Sequence, residues 1–161
     1  MIRHATLAAR PLDALCADAA ARYPEEACGL LLGQVAATEL SITRAVACPN
    51  TAPAEQRRRS FEIDPRAVLN LRRELRGTAT AHVGFYHSHP DAEARPSERD
   101  LPYLLLWPET LWLIVPVEAG ASGAARAWWV AGKAAGAEPI EVELRLLSQA
   151  QTPCADRTGA R

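Results

Sequence analysis

Apolar positions in the first part of the chain recur at helical spacing: Leu12, Leu15, Cys16, Ala19 and Tyr23 form one stripe. Pro11 suits a first helical turn, where its missing N–H costs nothing, and Pro24 stops the helix. Residues 2–8 ahead of it are short and mixed, which predicts an edge strand. The run Cys28-Gly29-Leu30-Leu31-Leu32-Gly33 is apolar between glycines and predicts a buried strand. Residues 39–47 alternate loosely and are its expected partner. A loop with two prolines and a basic end follows at 49–59. Asp64-Pro65 then starts a second helix, with Val68, Leu71 and Leu75 on one face and Gly77 as the C-terminal cap. Residues 80–88 predict a strand, and a third helix lies within 97–107. Residues 111–117 and 124–131 predict strands joined by a Gly/Ala/Ser turn at 119–124. A last strand spans 139–146, and the polar tail from Ser148 is expected to fray.

The order strand, helix, strands, helix, strand, helix, strands predicts a mixed α/β domain with helices covering a sheet. The length of 161 residues fits one domain, taken as 1–147, with 148–161 as a flexible tail. Apolar residues make up 48%, enough for a real core. The 18 basic and 19 acidic residues leave a formal charge of -1, which argues against nucleic acid or an anionic membrane as the main partner. No apolar run approaches the roughly 18 residues that span a bilayer, and no signal-peptide core is present. A soluble cytoplasmic protein is therefore expected. Cys16, Cys28, Cys48 and Cys154 are far apart with no C-x-x-C pair, so reduced structural thiols are expected.

The stretch HSHPDAEARPSERD, from His87 to Asp100, changes the picture. Alternate side chains of an extended strand point the same way, so His87 and His89 can reach one ion. Pro90 ends the strand, since it offers no amide to the ladder. Asp100 supplies a carboxylate further along. Two imidazoles and one carboxylate make a three-ligand set, and a catalytic zinc keeps its fourth position for water. Ligands of this kind without thiolate fit Zn²⁺, and other divalent ions can use the same set. Such an ion lowers the pKa of its bound water to roughly 7. A hydrolase then needs a proton-transferring base and a donor to the oxyanion. Ser97 is close enough in sequence to supply a hydroxyl.

The pattern H-x-H-P, six residues, then S-x-x-D, here His87, His89, Pro90, Ser97 and Asp100, resembles the JAMM (MPN+) metallopeptidases. So does the upstream segment Glu26-Ala27-Cys28-Gly29-Leu30-Leu31-Leu32-Gly33, of the form E-x-C-G-[LVI]-L-x-G. The resemblance covers roughly residues 8 to 135. It implies His87, His89 and Asp100 as zinc ligands, Glu26 as general acid/base and Ser97 as the oxyanion-stabilising hydroxyl. It also implies a single-domain, curved mixed sheet flanked by helices. Family members cleave peptide or isopeptide bonds at the C-terminus of ubiquitin or ubiquitin-like proteins. This chain resembles the compact bacterial members, which act on small ubiquitin-like sulfur-carrier proteins ending in Gly-Gly. Glycines fit such a mechanism, because residues without side chains thread a narrow groove as an added strand.

Several residues admit a second role. Ser97-x-x-Asp100 also looks like a helix cap with an acidic third position. Glu25 competes with Glu26, and the spacing to Gly29 selects Glu26. His82 lies five before His87, so on a regular strand it faces away from the ligands as a partly buried bystander. Arg57, Arg58 and Arg59 are a solvated loop or a contact for an acidic carrier. Of Trp128 and Trp129, one is expected in the core and the other as an exposed anchor. Two rival functions remain: a metal-free scaffold that only binds partners, and a zinc hydrolase of a small amide or short peptide. Other chemistries lack their motifs, with no H-E-x-x-H, G-x-S-x-G, G-x-x-x-x-G-K-[ST] or H-x-E…P-C-x-x-C.

Overall fold

The computed structural model describes residues 1–132 and 138–147. The elements run β1 (His4–Ala8), α1 (Ala9–Arg22), β2 (Cys28–Ala36), β3 (Glu39–Cys48), α2 (Pro65–Glu74), β4 (Ala81–Pro90), α3 (Leu101–Leu106), β5 (Leu111–Glu118), β6 (Ala121–Ser122), β7 (Arg126–Trp129) and β8 (Ile140–Leu147). The order is the one predicted. The flexible-tail expectation and Cys154 fall outside the described residues.

The strands form one mixed sheet in the order β4-β2-β3-β1-β8-β7-β5-β6, and β4 also pairs with β5. That last pairing joins the two ends, so the curved sheet closes into a barrel with β6 appended to β5. The expectation of a curved mixed sheet is met, while the closure goes beyond a sheet merely covered by helices. β1 is not the edge strand expected from its short, mixed sequence. It lies between β3 and β8, parallel to both, with Ala5 and Leu7 fully buried. Its shortness reflects the immediate turn into α1, not an exposed edge.

Two cores flank the strands, and the two-residue period of a strand assigns side chains to each. Leu31, Tyr86, Leu113, Ala127 and Val142 point into the barrel, where α1 adds Leu15 and Ala19. Their sequence neighbours Leu30, Leu32, Phe85 and Trp112 point outward and meet Val68 and Leu71 of α2, Leu104 of α3 and Phe61. Strands buried on both faces read as continuous apolar runs, which is why Leu30-Leu31-Leu32 shows no alternation. Asp64 caps α2, its carboxylate accepting the Arg66 N–H at 2.9 Å. Phe85 stacks on Trp112 at 4.6 Å between centroids, a contact adding about 0.5–1.5 kcal/mol beyond its area. The aromatic layer supports the end of β4 from below.

Candidate metal centre

β4 runs through the histidines to Pro90, pairing with β2 on one side and β5 on the other. His87 and His89 extend the face of Phe85, and all three ligand candidates are buried: His87 0%, His89 6% and Asp100 3% exposed. The His87 and His89 Nε2 atoms are 3.0 Å apart. Asp100 places Oδ1 3.5 Å from His87 Nε2 and Oδ2 3.2 Å from His89 Nε2. One ligand atom from each residue lies within 4.8 Å of the others.

The surroundings fit a cation. His89 Nδ1 lies 2.7 Å from the Glu93 carbonyl. A carbonyl only accepts, so Nδ1 carries the hydrogen and Nε2 of the neutral ring turns a lone pair to Asp100. In the neutral ring His89 Nε2 is thus free to serve as a metal ligand. Phe61 stacks on His87 at 4.5 Å and fixes its ring. Burial pushes His87 down from its ordinary value, against the pull of Asp100. For His89 burial also acts downward, but Asp100, the Glu93 carbonyl and Glu26 outweigh it and hold the ring above its ordinary value. Burial alone would raise the Asp100 carboxyl. Both histidines in their protonated form, together with the Ser97 N–H, instead hold it well below the usual carboxylate range.

Asp100 is placed by a reciprocal cap. Its Oδ2 accepts the Ser97 N–H at 2.6 Å, and Ser97 Oγ accepts the Asp100 N–H at 3.3 Å. The reciprocal pair read from the sequence is present, but it closes the turn that leads into α3, whose own N-cap is Asp100 with no side-chain cap bond. The Ser97 side chain remains exposed toward the cleft.

Glu26 immediately precedes β2 and is only 4% exposed. Burial pushes its carboxyl up to about 8, with His89 opposing and Asp100 adding to the rise. Its Oε2 is buried with no hydrogen-bond partner among the described residues. Glu26, His89 and Ser97 line one cavity of about 380 Å³ with Arg58, Arg59 and Arg99. Glu25 is half-buried and does not line it.

Some neighbours depart from expectation. The register of β2 and β4 shifts so that Leu31 pairs with Gly84 and Leu32 with His82, leaving Val83 as a bulge. The bulge turns His82 onto the face of Phe85, 4.7 Å ring to ring, rather than the opposite face. Its bystander character stands, packed between Phe85 and Trp107 and away from the ligands. Trp129 is in the core as expected, but Trp128 is not an exposed anchor. It is half-buried, donates its indole N–H to the Ala94 carbonyl at 3.0 Å and lies under Arg126. It thereby pins the loop that carries Ser97. Arg57 is structural, with Nε donating to the Ala52 carbonyl at 2.8 Å, while Arg58 and Arg59 are exposed at the cleft. Cys16, Cys28 and Cys48 are free thiols, and burial pushes Cys28 up to about 12. A thiol so high is no nucleophile at neutral pH.

Two positioning residues were missed in the sequence. Ser88, between the histidines, accepts the Ala27 N–H at 2.8 Å on Oγ and donates its own N–H to the Ala27 carbonyl at 3.0 Å. Asn50 donates to the Glu26 carbonyl at 3.1 Å. Only the Pro-Asn-Thr turn signal at 49–51 marks Asn50 in the sequence.

The fold and this cluster define an α/β barrel with a buried two-histidine, one-aspartate site. The family model of prokaryotic homologs of the JAB domain matches residues 8–131, and the chain belongs to that family. It is 32% identical over 96 residues to a desampylase of Haloferax volcanii, covering 60% of this chain and 66% of that protein. It is 36% identical over 111 residues to the tail tip assembly protein K of Escherichia phage N15, covering 62% of this chain and 40% of that protein. The chain thus spans less than two thirds of the length of each of these curated relatives. Among solved structures, a protein of Desulfitobacterium hafniense, DSY2949, superposes with a TM-score of 0.71 at 26% identity, covering 91% of this chain and 97% of that one. A protein of Salinibacter ruber superposes with a TM-score of 0.62 at 31% identity, covering 92% and 95%.

Proposed function

We propose that the chain is a zinc-dependent peptidase that hydrolyses a peptide or isopeptide bond at the Gly-Gly C-terminus of a ubiquitin-like sulfur-carrier protein in the cytoplasm. The observation that carries this reading is the convergence of His87, His89 and Asp100 beside a cleft lined by His89 and a buried Glu26. Similarity to a desampylase supports the class of activity. A second cavity of about 700 Å³ shares Ala92 with the first. Two neighbouring cavities that share a lining residue favour an extended peptide over a small amide. Retention of every ligand argues against a scaffold that only binds partners. No helix among the described residues is long and apolar enough to cross a membrane.

His87, His89 and Asp100 would hold the zinc, which supplies Lewis acidity and makes water acidic enough to lose a proton near neutral pH. Glu26, held high by burial, is matched to proton exchange in that range. It takes the proton from the attacking water as the new C–O bond forms. It returns that proton to the leaving amine as the C–N bond breaks. The Ser97 hydroxyl faces the same cavity and donates to the carbonyl oxygen as negative charge develops there. Arg58, Arg59 and Arg99 at the rim suit acidic residues on the carrier.

Glu26→Gln should keep its zinc by elemental analysis and lose cleavage by about 10²–10⁴-fold. His87→Ala should lose both. Full activity in Glu26→Gln would remove the assigned base, and full zinc content in His87→Ala would remove the assigned ligand.

A further inference from the structure

Asn50 sits at the end of β3, in a loop that returns along the cleft, and is only 7% exposed. Its amide is fully used. Nδ2 donates to the carbonyls of Glu26 at 3.1 Å and Ser60 at 3.0 Å. Oδ1 accepts the N–H groups of Ala52 at 3.0 Å and Glu62 at 3.2 Å. All four partners are backbone groups, two that only accept and two that only donate, so the orientation of the amide is fixed. The same loop reaches Glu26 from its other side, where the Arg57 carbonyl accepts the Glu26 N–H at 2.7 Å. Both peptide groups of Glu26 are therefore held by the 50–62 loop, while the next residue, Ala27, is held separately by Ser88.

The Glu26 carboxylate itself has no such support, with Oε2 unpartnered. Its position over the cleft depends on where its backbone is fixed. We infer that Asn50 is the positioning residue for Glu26, setting the carboxyl against His89 and the Ser97 hydroxyl without touching the substrate. This rests on the role given to Glu26 above. A buried amide with two donors and two acceptors is the only uncharged side chain of this length that can serve both carbonyls and both N–H groups. The loop has other fastenings, Thr51 N–H to the Glu62 carbonyl at 2.9 Å and Arg57 Nε to Ala52 at 2.8 Å. Its closure does not hang on Asn50 alone.

Asn50→Asp tests this fastening, with the loop still closed by Thr51 and Arg57. It keeps the acceptor for Ala52 and Glu62 and removes the donor to the Glu26 and Ser60 carbonyls. In the folded chain, amide hydrogen exchange at Ala27, whose N–H shares a peptide group with the Glu26 carbonyl, and at Glu26 itself should quicken by about tenfold or more, the price of a buried carbonyl left unpaired. The Ala52 and Glu62 amides should stay protected. With zinc loaded and a purified carrier ending in Gly-Gly plus a peptide extension, kcat should fall about a hundredfold with KM little changed. Zinc content should match the wild type. Asn50→Ser, uncharged and too short to reach Glu26, gives the same readouts at Glu26 if the aspartate blocks folding. Wild-type exchange at Glu26 in both variants, or quickened exchange with unchanged kcat, would overturn the inference. If the wild type cleaves no carrier, the peptidase reading fails, and the exchange pattern by itself decides whether Asn50 holds Glu26.

Discussion

The oxygen of Ser97 accepts the Asp100 N–H at 3.3 Å, which leaves its own hydrogen to turn into the cleft. The cap and the oxyanion contact therefore use different parts of one hydroxyl, and two variants separate them. Ser97→Ala should lose about 1 kcal/mol of stability with the cap and about 10²–10³ in kcat with the donor. Ser97→Thr should restore the stability and part of the rate. Equal kcat in Ser97→Ala and wild type, measured at saturating substrate, would leave Ser97 as a cap only. His82 gives a prediction away from the cleft. Burial, with Arg72 adding, pushes it down from 6.5 to about 4. Between those values the unfolded chain binds a proton that the folded one does not, so stability falls as pH drops below about 6.5. At pH 5 the loss is about 2 kcal/mol, and it should vanish in His82→Gln when urea midpoints at pH 7 and pH 5 are compared. The convergence of His87, His89 and Asp100 was readable from type and spacing, while Glu26 was singled out only by the resemblance to the JAMM family. The facing of His82 was not readable, because one bulged residue inverts every parity count beyond it.

The strand β4 carries most of the site, and its neighbours decide how closely it packs. Gly84 pairs with Leu111, and a Cβ at Gly84 would meet the Leu111 carbonyl at 2.0 Å. Backbone cannot step aside as a flexible side chain can. Gly84→Ala should cost on the order of 1–3 kcal/mol and weaken zinc binding, since β4 and β5 must part next to the ligands. Unchanged thermal stability in that variant would mean that β4 and β5 are not in register as described. The existence and order of the elements were legible in apolar periodicity and in proline and glycine positions. Their boundaries and partners were less so. β2 runs on to Ala36 through exposed residues with no apolar signal, and β6 is two residues long. Trp128 reads as a surface tryptophan until the loop from the far end of β4 is seen to lie on its indole N–H.

For the molecule as a whole, closure of the barrel is the feature the sequence did not carry. The parallel β4–β5 pairing joins strands separated by the ligand loop and α3, and no local pattern specifies such a contact. Pairing of β2 with β4 sets Glu26 beside the histidines, and the parallel return to β5 brings the loop bearing Asp100 to the same rim. The near-zero net charge, by contrast, already argues in the sequence against nucleic acid or an anionic membrane as the main partner. The account therefore stands or falls on what happens in the cleft. The most direct measurement is intact mass of purified ubiquitin-like carriers that end in Gly-Gly plus an extension, incubated with the zinc-loaded protein with and without a chelator. The account predicts loss of the mass beyond Gly-Gly, abolished by chelation and restored by zinc. Cleavage indifferent to the chelator, or carriers left intact by a protein shown to hold stoichiometric zinc, would contradict it.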